Sequence, residues 1–351
     1  MAAKRVTLAD VARKAGLSPA AASMILNGRP DTRLSVDAHE RVHAAADELG
    51  YRPNVAARSL RTDRTLTIGF ISDVVATTRF ASGLIKGALE AAEKAGHVVL
   101  VLETGGEPAR ETVAIEAVLD RQVDGIIFAT MRARELFVPE LPASTRAVML
   151  NATNAHHPTS VLPDEEHGGR EAVRLLAEAG HTDGIVLIGQ NDRVEQNQFR
   201  SETVARRIFG VRDEMAARGL AFDSEESCWE WEPSFGYEIT AGLLDRGTRV
   251  KALLCMNDRL AFGAYQALAE RGLRVPDDVS VVSFDNDELA AYLRPGLTTI
   301  GLPHEEMGRR AVELLLREGD LDDAATHHLV PMPVIVRGSI APPQRLAPAH
   351  D

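Results

Sequence analysis

Gly16-Leu17-Ser18-Pro19 is the segment that most restricts the fold, because it ends one helix and starts another within four residues. Upstream, Thr7 caps a helix whose apolar residues Leu8, Val11, Ala12 and Ala15 fall at i, i+3, i+4 and i+7, a single stripe. Gly16 stops that helix, since only glycine enters the left-handed conformation cheaply. Ser18 caps the next one, and Pro19 takes its first position, where a missing N–H costs nothing. Ala22, Ile25 and Leu26 then face inward and leave Pro19, Ala20, Ser23, Met24 and Asn27 outward. Such a pair is either an ordinary αα-hairpin or a helix-turn-helix whose second helix suits the DNA major groove. Ser35 caps a third helix with Val42, Ala45, Ala46 and Leu49 inward, and Tyr51-Arg52-Pro53 stops it.

From Leu66 onward the pattern changes to apolar runs alternating with amphipathic stretches. Strands are expected at 66–72 (LTIGFIS), 97–102, 123–129 (VDGIIFA) and 147–150, with helices near 80–95 and 109–121. After Pro163 the order repeats: helix 165–179, strand 184–189, helix 202–218, strand 227–231, helix 234–246, strand 251–257, helix 259–271 and strand 279–284. Short apolar runs between helical patterns predict parallel sheets with helices on both faces, and two such sets predict two α/β subdomains. No sharp internal repeat occurs, and the one biased segment is the Pro-rich tail after Ala341.

A chain of 351 residues has room for two to three domains. It contains no apolar run long enough to span a bilayer and no charged-then-apolar leader, which predicts a cytoplasmic protein with no membrane segment. Cys228 and Cys255 are too few for a disulfide framework, and Cys255 in an apolar run reads as a buried thiol. The net charge of −12 is uneven: residues 1–64 hold 11 Lys/Arg and 7 Asp/Glu, a net +4, so the remainder carries −16. A basic head on an acidic body concentrates phosphate attraction at one end. The pairs His156-His157 and His327-His328 are adjacent residues that make poor chelates, so no metal is expected. Glu230 and Glu232 would share one strand face but read as solvent-facing. No phosphate loop, dinucleotide fingerprint or nucleophile elbow is present, so neither a cofactor nor an enzyme activity is expected.

Three motifs in order carry a resemblance: the opening VTLADVARKAGLS, the Asn27-Gly28 that ends the second helix, and GYRPNVAARSL ahead of TIGF. From about residue 5 to 340 the chain resembles the lactose-repressor/galactose-repressor (LacI/GalR-type) family of bacterial transcription regulators. The resemblance implies an α/β chain: an all-α helix-turn-helix headpiece, then a two-subdomain periplasmic-binding-protein-like body of doubly wound parallel sheets. It implies a headpiece at 1–53, a hinge helix and linker at 54–65, an effector-binding and dimerisation domain at 66–341 and a tail at 342–351. The first subdomain would hold about 66–163 plus 304–330 and the second about 164–303 plus 331–341, with crossovers near Pro163, Pro303 and Pro331.

By the same resemblance the chain is a homodimer on a near-palindromic double-stranded DNA operator, controlled by a small effector, most simply a carbohydrate. DNA contacts would come from Thr7, Leu8, Ser18, Pro19, Ala20, Ser23, Met24, Asn27, Arg29, Asn54, Ala57, Arg58 and Leu60. Residues 54–61 would become helical only when paired on DNA, with Leu60 wedged between base steps. Pro19, Ala20 and Met24 depart from relatives, which carry hydrogen-bonding side chains there. Effector contacts would come from Asp73, Phe80, Asn151, Arg207, Trp231, Asn257 and Asp285. Arg207 would grip the ligand with its planar donor fork, Trp231 would stack on it, and Asp258 rather than Asn257 would cap the following helix. Two other readings share the body fold: a sugar-binding transport component, against which residues 1–61 argue, and an enzyme, for which no catalytic constellation is found.

Overall fold

The computed structural model describes residues 6–27, 34–52, 64–76, 78, 82–136, 138–139, 141–142, 144–157, 159–190, 202–319 and 326–341. They fall into two compact units, 1–65 and 66–351.

The first unit holds α1 (Leu8–Ala15), α2 (Pro19–Leu26) and α3 (Val36–Leu49). Its helix starts are chemical. Thr7 and Asp10 form a reciprocal capping box on α1, Ser18 accepts from the Ala21 N–H, and Ser35 accepts from the Ala38 N–H. Gly16, at φ 66°, closes α1 in the left-handed conformation. The core beneath is small and alanine-rich, with Val11, Ile25 and Val42 as its larger buried side chains. Arg41 on α3 donates to the Ala15 carbonyl at 3.1 Å and so ties the third helix to the end of the first.

Among the described residues the second unit builds two six-stranded sheets. Sheet A comprises β1 (Thr67–Ser72), β2 (Val98–Glu103), β3 (Gly125–Glu135), β4 (Ala147–Thr153), β5 (Ser160–Pro163) and β11 (His327–Val330), in the order β11-β5-β4-β3-β1-β2, all parallel. Side-chain alternation sends Ile68, Phe70, Ile127, Val148 and Leu150 to one face, against α4 (Ser82–Lys94) and α11 (His304–Leu316). The residues between them, such as Ile71, Ile126, Phe128 and Met149, meet α5 (Pro108–Asp120) on the other. Burial on both faces explains why the inner strands β1, β3 and β4 read as continuous apolar runs.

Sheet B comprises β6 (Ile185–Gln190), β7 (Ser224–Ser227), β8 (Ala252–Cys255), β9 (Ser280–Asp285), β10 (Thr298–Gly301) and β12 (Val334–Ile335), ordered β12-β10-β9-β8-β6-β7. The helices α6 (Glu165–Glu178), α7 (Glu202–Ala217), α8 (Pro233–Asp245), α9 (Asp258–Glu270) and α10 (Glu288–Tyr292) accompany it. The chain changes sheet after Pro163, after Gly301 and after Val330.

Several expectations are corrected. The edge strand β7 is Ser224–Ser227 and not 227–231. Pairing goes to a polar segment whose exposure alternates, while Trp229 and Glu230 form a bend, so Glu230 and Glu232 share no strand face. The alternation does not end at 284: α10, β10, α11, β11 and β12 follow. β12 runs antiparallel to β10, so sheet B is mixed rather than wholly parallel. Cys255 is fully buried, and Cys228 is buried too.

Candidate functional site

On the first unit, Pro19 and Ala20 are exposed on α2, and Ser23, Met24 and Asn27 are half-buried. The polar side chains there already serve their own helices. Thr7 is engaged with Asp10, the Ser18 oxygen with the Ala21 N–H at 3.2 Å, and the Asn27 amide with the Ser23 carbonyl at 2.6 Å. Arg29, Asn54, Ala57, Arg58 and Leu60 lie outside the described residues.

In the second unit all three connections between the sheets leave from carboxyl ends of strands, β5, β10 and β11. Open α/β sheets place their ligands beyond the carboxyl ends of their strands. On the sheet A side, the Asp73 carboxylate accepts from the Val74 N–H at 2.6 Å and the Met131 N–H at 3.0 Å. Asn151 sits in the left-handed region, at φ 52°. Its amide donates to the carbonyls of Thr130 and Met131 at 3.0 and 3.1 Å, and the Thr130 hydroxyl returns a bond of 2.5 Å to the Asn151 carbonyl. On this side the Asp73 carboxylate and the Asn151 amide are bonded to backbone groups. Phe80, also expected here, lies outside the described residues.

The sheet B side is built on ions. Glycines let α6 and α7 cross in close contact: a β-carbon at Gly169 would overlap the Arg207 carbonyl oxygen, and one at Gly210 the Glu166 carbonyl oxygen. The crossing places Arg207, 2 % exposed, against Glu165, equally buried. Arg207 donates from Nε and Nη2 to the two Glu165 oxygens at 2.6 and 2.8 Å, from Nη1 to the Met256 carbonyl at 2.6 Å, and from Nη2 to Asp285 at 3.5 Å. Its guanidinium carbon lies 4.4 Å from the Phe284 ring centre and 5.8 Å from that of Trp231.

Asp285 ends β9 at φ 104°, a backbone strain that an aspartate rarely bears. Burial pushes its carboxyl up to about 8, against the opposing pull of Arg207. Burial likewise raises Asp258 to about 6 although the Ser283 hydroxyl and the Asp287 N–H both donate to it.

Sheet B thus brings together Arg207, Trp231 and Asp285, each already bonded within the protein. The fork of Arg207 is taken by Glu165, a residue that sequence reasoning passed over. Glu165 looks there like an ordinary first-turn acid complementing the dipole of α6. Trp231 lies between the bend at Trp229 and Glu230 and α8, and its Nε1–H donates to the Gly189 carbonyl at 2.9 Å. Asn257, not Asp258, caps α9: its Oδ1 accepts from the Leu260 N–H at 2.9 Å and its amide holds the Trp231 carbonyl at 3.1 Å. Asp258 is fully buried beneath it. Among the described residues no group of three His, Cys, Asp or Glu side chains is arranged to hold a metal ion. No described helix is long and apolar enough to cross a membrane.

Comparison with known proteins fits both units. Residues 7–54 match bacterial regulatory proteins of the lacI family, and residues 173–340 match the periplasmic binding protein-like domain. The HTH-type transcriptional repressor PurR of Vibrio campbellii is 33 % identical over 318 residues, covering 88 % of this chain and 91 % of that protein. The HTH-type transcriptional regulator AscG of Escherichia coli is 32 % identical over 349 residues, covering 97 % and 99 %. The crystal structure of the lac repressor dimer bound to operator and the anti-inducer ONPF superposes with a TM-score of 0.74 at 26 % identity, covering 96 % of this chain and 100 % of that one. The chain therefore belongs to the lacI family of bacterial regulatory proteins, DNA-binding transcription regulators with a ligand-binding body.

Proposed function

We propose that this protein is a homodimeric repressor of a near-palindromic operator, and that a small carbohydrate bound between the two sheets sets its DNA affinity. The observation that carries the reading is the joining, in one chain, of a capped helix-turn-helix to a body of two α/β sheets between which the chain crosses three times. In the headpiece, α2 enters the major groove, and the N-termini of α1 and α2, with Thr7, Leu8 and Ser18, meet phosphates. Because Ser23 and Asn27 are tied to each other, Ala20 and Met24 discriminate bases by apolar contact with thymine methyl groups, helped by Pro19 and Arg29. Residues 54–61, including Asn54, Ala57, Arg58 and Leu60, order over the minor groove.

The dimer reading is supported by exposed Leu89 on α4 with Val98 and Val101 on the edge strand β2. A groove of about 580 Å³ lined by Ile85, Leu89 and Val101 accompanies them. An apolar sheet edge of this kind calls for a cover. In the cleft, Trp231, Asp285 and Asn257, with Asp73 and Asn151 across from them, frame the effector. The test is retardation of the DNA upstream of the protein's own gene, with random duplex as control. Sequence-selective binding that weakens steeply with salt is the expected result. Equal retardation of both duplexes would reject the operator reading.

A further inference from the structure

We propose that Glu165 is a built-in counter-ion that fixes the charge class of the effector: the cleft takes an uncharged polyhydroxylated ligand and refuses a carboxylate or a phosphate. This rests on the proposed effector cleft and specifies what it accepts.

A guanidinium has five N–H donors in a rigid fork, and its selective use is the paired recognition of carboxylate or phosphate oxygens. In this chain Nε and Nη2, the edge that would meet such a pair, are held by the two Glu165 oxygens at 2.6 and 2.8 Å. The second Nη2 hydrogen serves Asp285, and one Nη1 hydrogen serves the Met256 carbonyl. Four of the five donors are engaged within the protein, and the remaining one cannot form a fork.

Charge works in the same direction. Glu165 and Arg207 cancel, so an incoming anion at the end of β9 would meet the Asp285 carboxyl, with Asp258 and Asp287 behind it, and a guanidinium that is already neutralised. The hydroxyls of an uncharged polyol demand neither: they donate to Asp285 and lay their C–H faces on Trp231. An acidic ligand would have to displace Glu165 from a site where both partners are 2 % exposed, leaving a buried carboxylate unpaired.

The test removes the internal anion and offers an external one. The melting temperature of the full-length protein is measured in sodium phosphate and in sodium acetate, each against sodium chloride at equal ionic strength. The native protein should show no anion-specific shift. Glu165→Ala should melt lower, and acetate or phosphate, entering the vacated fork, should restore about 2–4 °C. Should Glu165→Ala not fold, Glu165→Ser, which also vacates the fork and leaves a small polar side chain, should show the same anion-specific rise.

Stabilisation of the native protein by either anion to the same extent as the variant would overturn the proposal. So would indifference of the folded variant to both. The measurement uses neither DNA nor effector, so its failure is separate from failure of the operator reading.

Discussion

The two sheets of the body share a strand order, and both lean on glycine-mediated helix crossings, yet their facing ends are built from different chemistry. On sheet A, Asn151 and Asp73 are spent on backbone groups, and the principal polar bonds join amide, hydroxyl and carbonyl. On sheet B, an arginine and two carboxylates are buried together. Hydrogen bonds from side chains to backbone satisfy buried backbone groups at modest desolvation cost, whereas burying an ion pair costs several kcal/mol for each ion before their attraction offsets it. The fold works with either arrangement, since both sheets form. The ions on sheet B are therefore better explained by selectivity than by stability.

That contrast can be broken at its strongest point first. Arg207→Ala leaves Glu165 and Asp285 buried without their cation and should cost about 3–5 kcal/mol in urea unfolding. Replacing Arg207 and Glu165 together by methionine should recover most of the loss. No recovery in the double variant would mean that the pair is needed for stability after all.

Next is the crossing that brings the pair together. Gly169→Ala pushes α6 away from the Arg207 carbonyl and should cost about 1–3 kcal/mol while weakening the effector response. Gly308→Ala, which overlaps the Leu84 carbonyl where α11 crosses α4, should cost a similar amount and leave the response intact. Equal loss of response in both would remove the distinction between the sheets.

The pH dependence sharpens the comparison further. Asp285 titrates near 8 in the folded protein, above the ordinary carboxylate value it has when unfolded. The folded state therefore holds the extra proton between about pH 4 and 8. Its stability is greatest below that window and falls as pH rises through it. Asp285→Asn should flatten the slope across the window in thermal melts at several pH values. The smallest effect belongs to the sheet A side: Asn151→Ala should cost about 1 kcal/mol with no change in pH slope.

Much of this architecture is legible in the chain, because local chemistry dictates it. Thr7, Gly16, Ser18 and Pro19 fix the headpiece helices without help from distant residues. The inner strands β1, β3 and β4 of sheet A are legible because burial on both faces leaves unbroken apolar runs. What escapes is whatever depends on a partner far along the chain. Glu165 and Arg207 are 42 residues apart and meet only because two glycine-bearing helices cross. The exchange of roles between Asn257 and Asp258 is similar: adjacent residues with cap-forming side chains are told apart only by Ser283 and Asp287, which claim Asp258 from β9 and the loop after it. The strand at 224–227 escapes because an edge strand with one wet face carries no apolar run, and the tryptophans after it draw the eye instead.

The central claim is that a ligand at the sheet B strand ends controls DNA affinity. Its most direct test is a titration of operator DNA by fluorescence anisotropy, with and without a neutral sugar found to raise the melting temperature, for the native protein and for Trp231→Ala. The account predicts a ligand-dependent change in operator affinity of about 5- to 150-fold in the native protein. In the variant it predicts unchanged ligand-free affinity and loss of most of that response. An undiminished response in Trp231→Ala would contradict it.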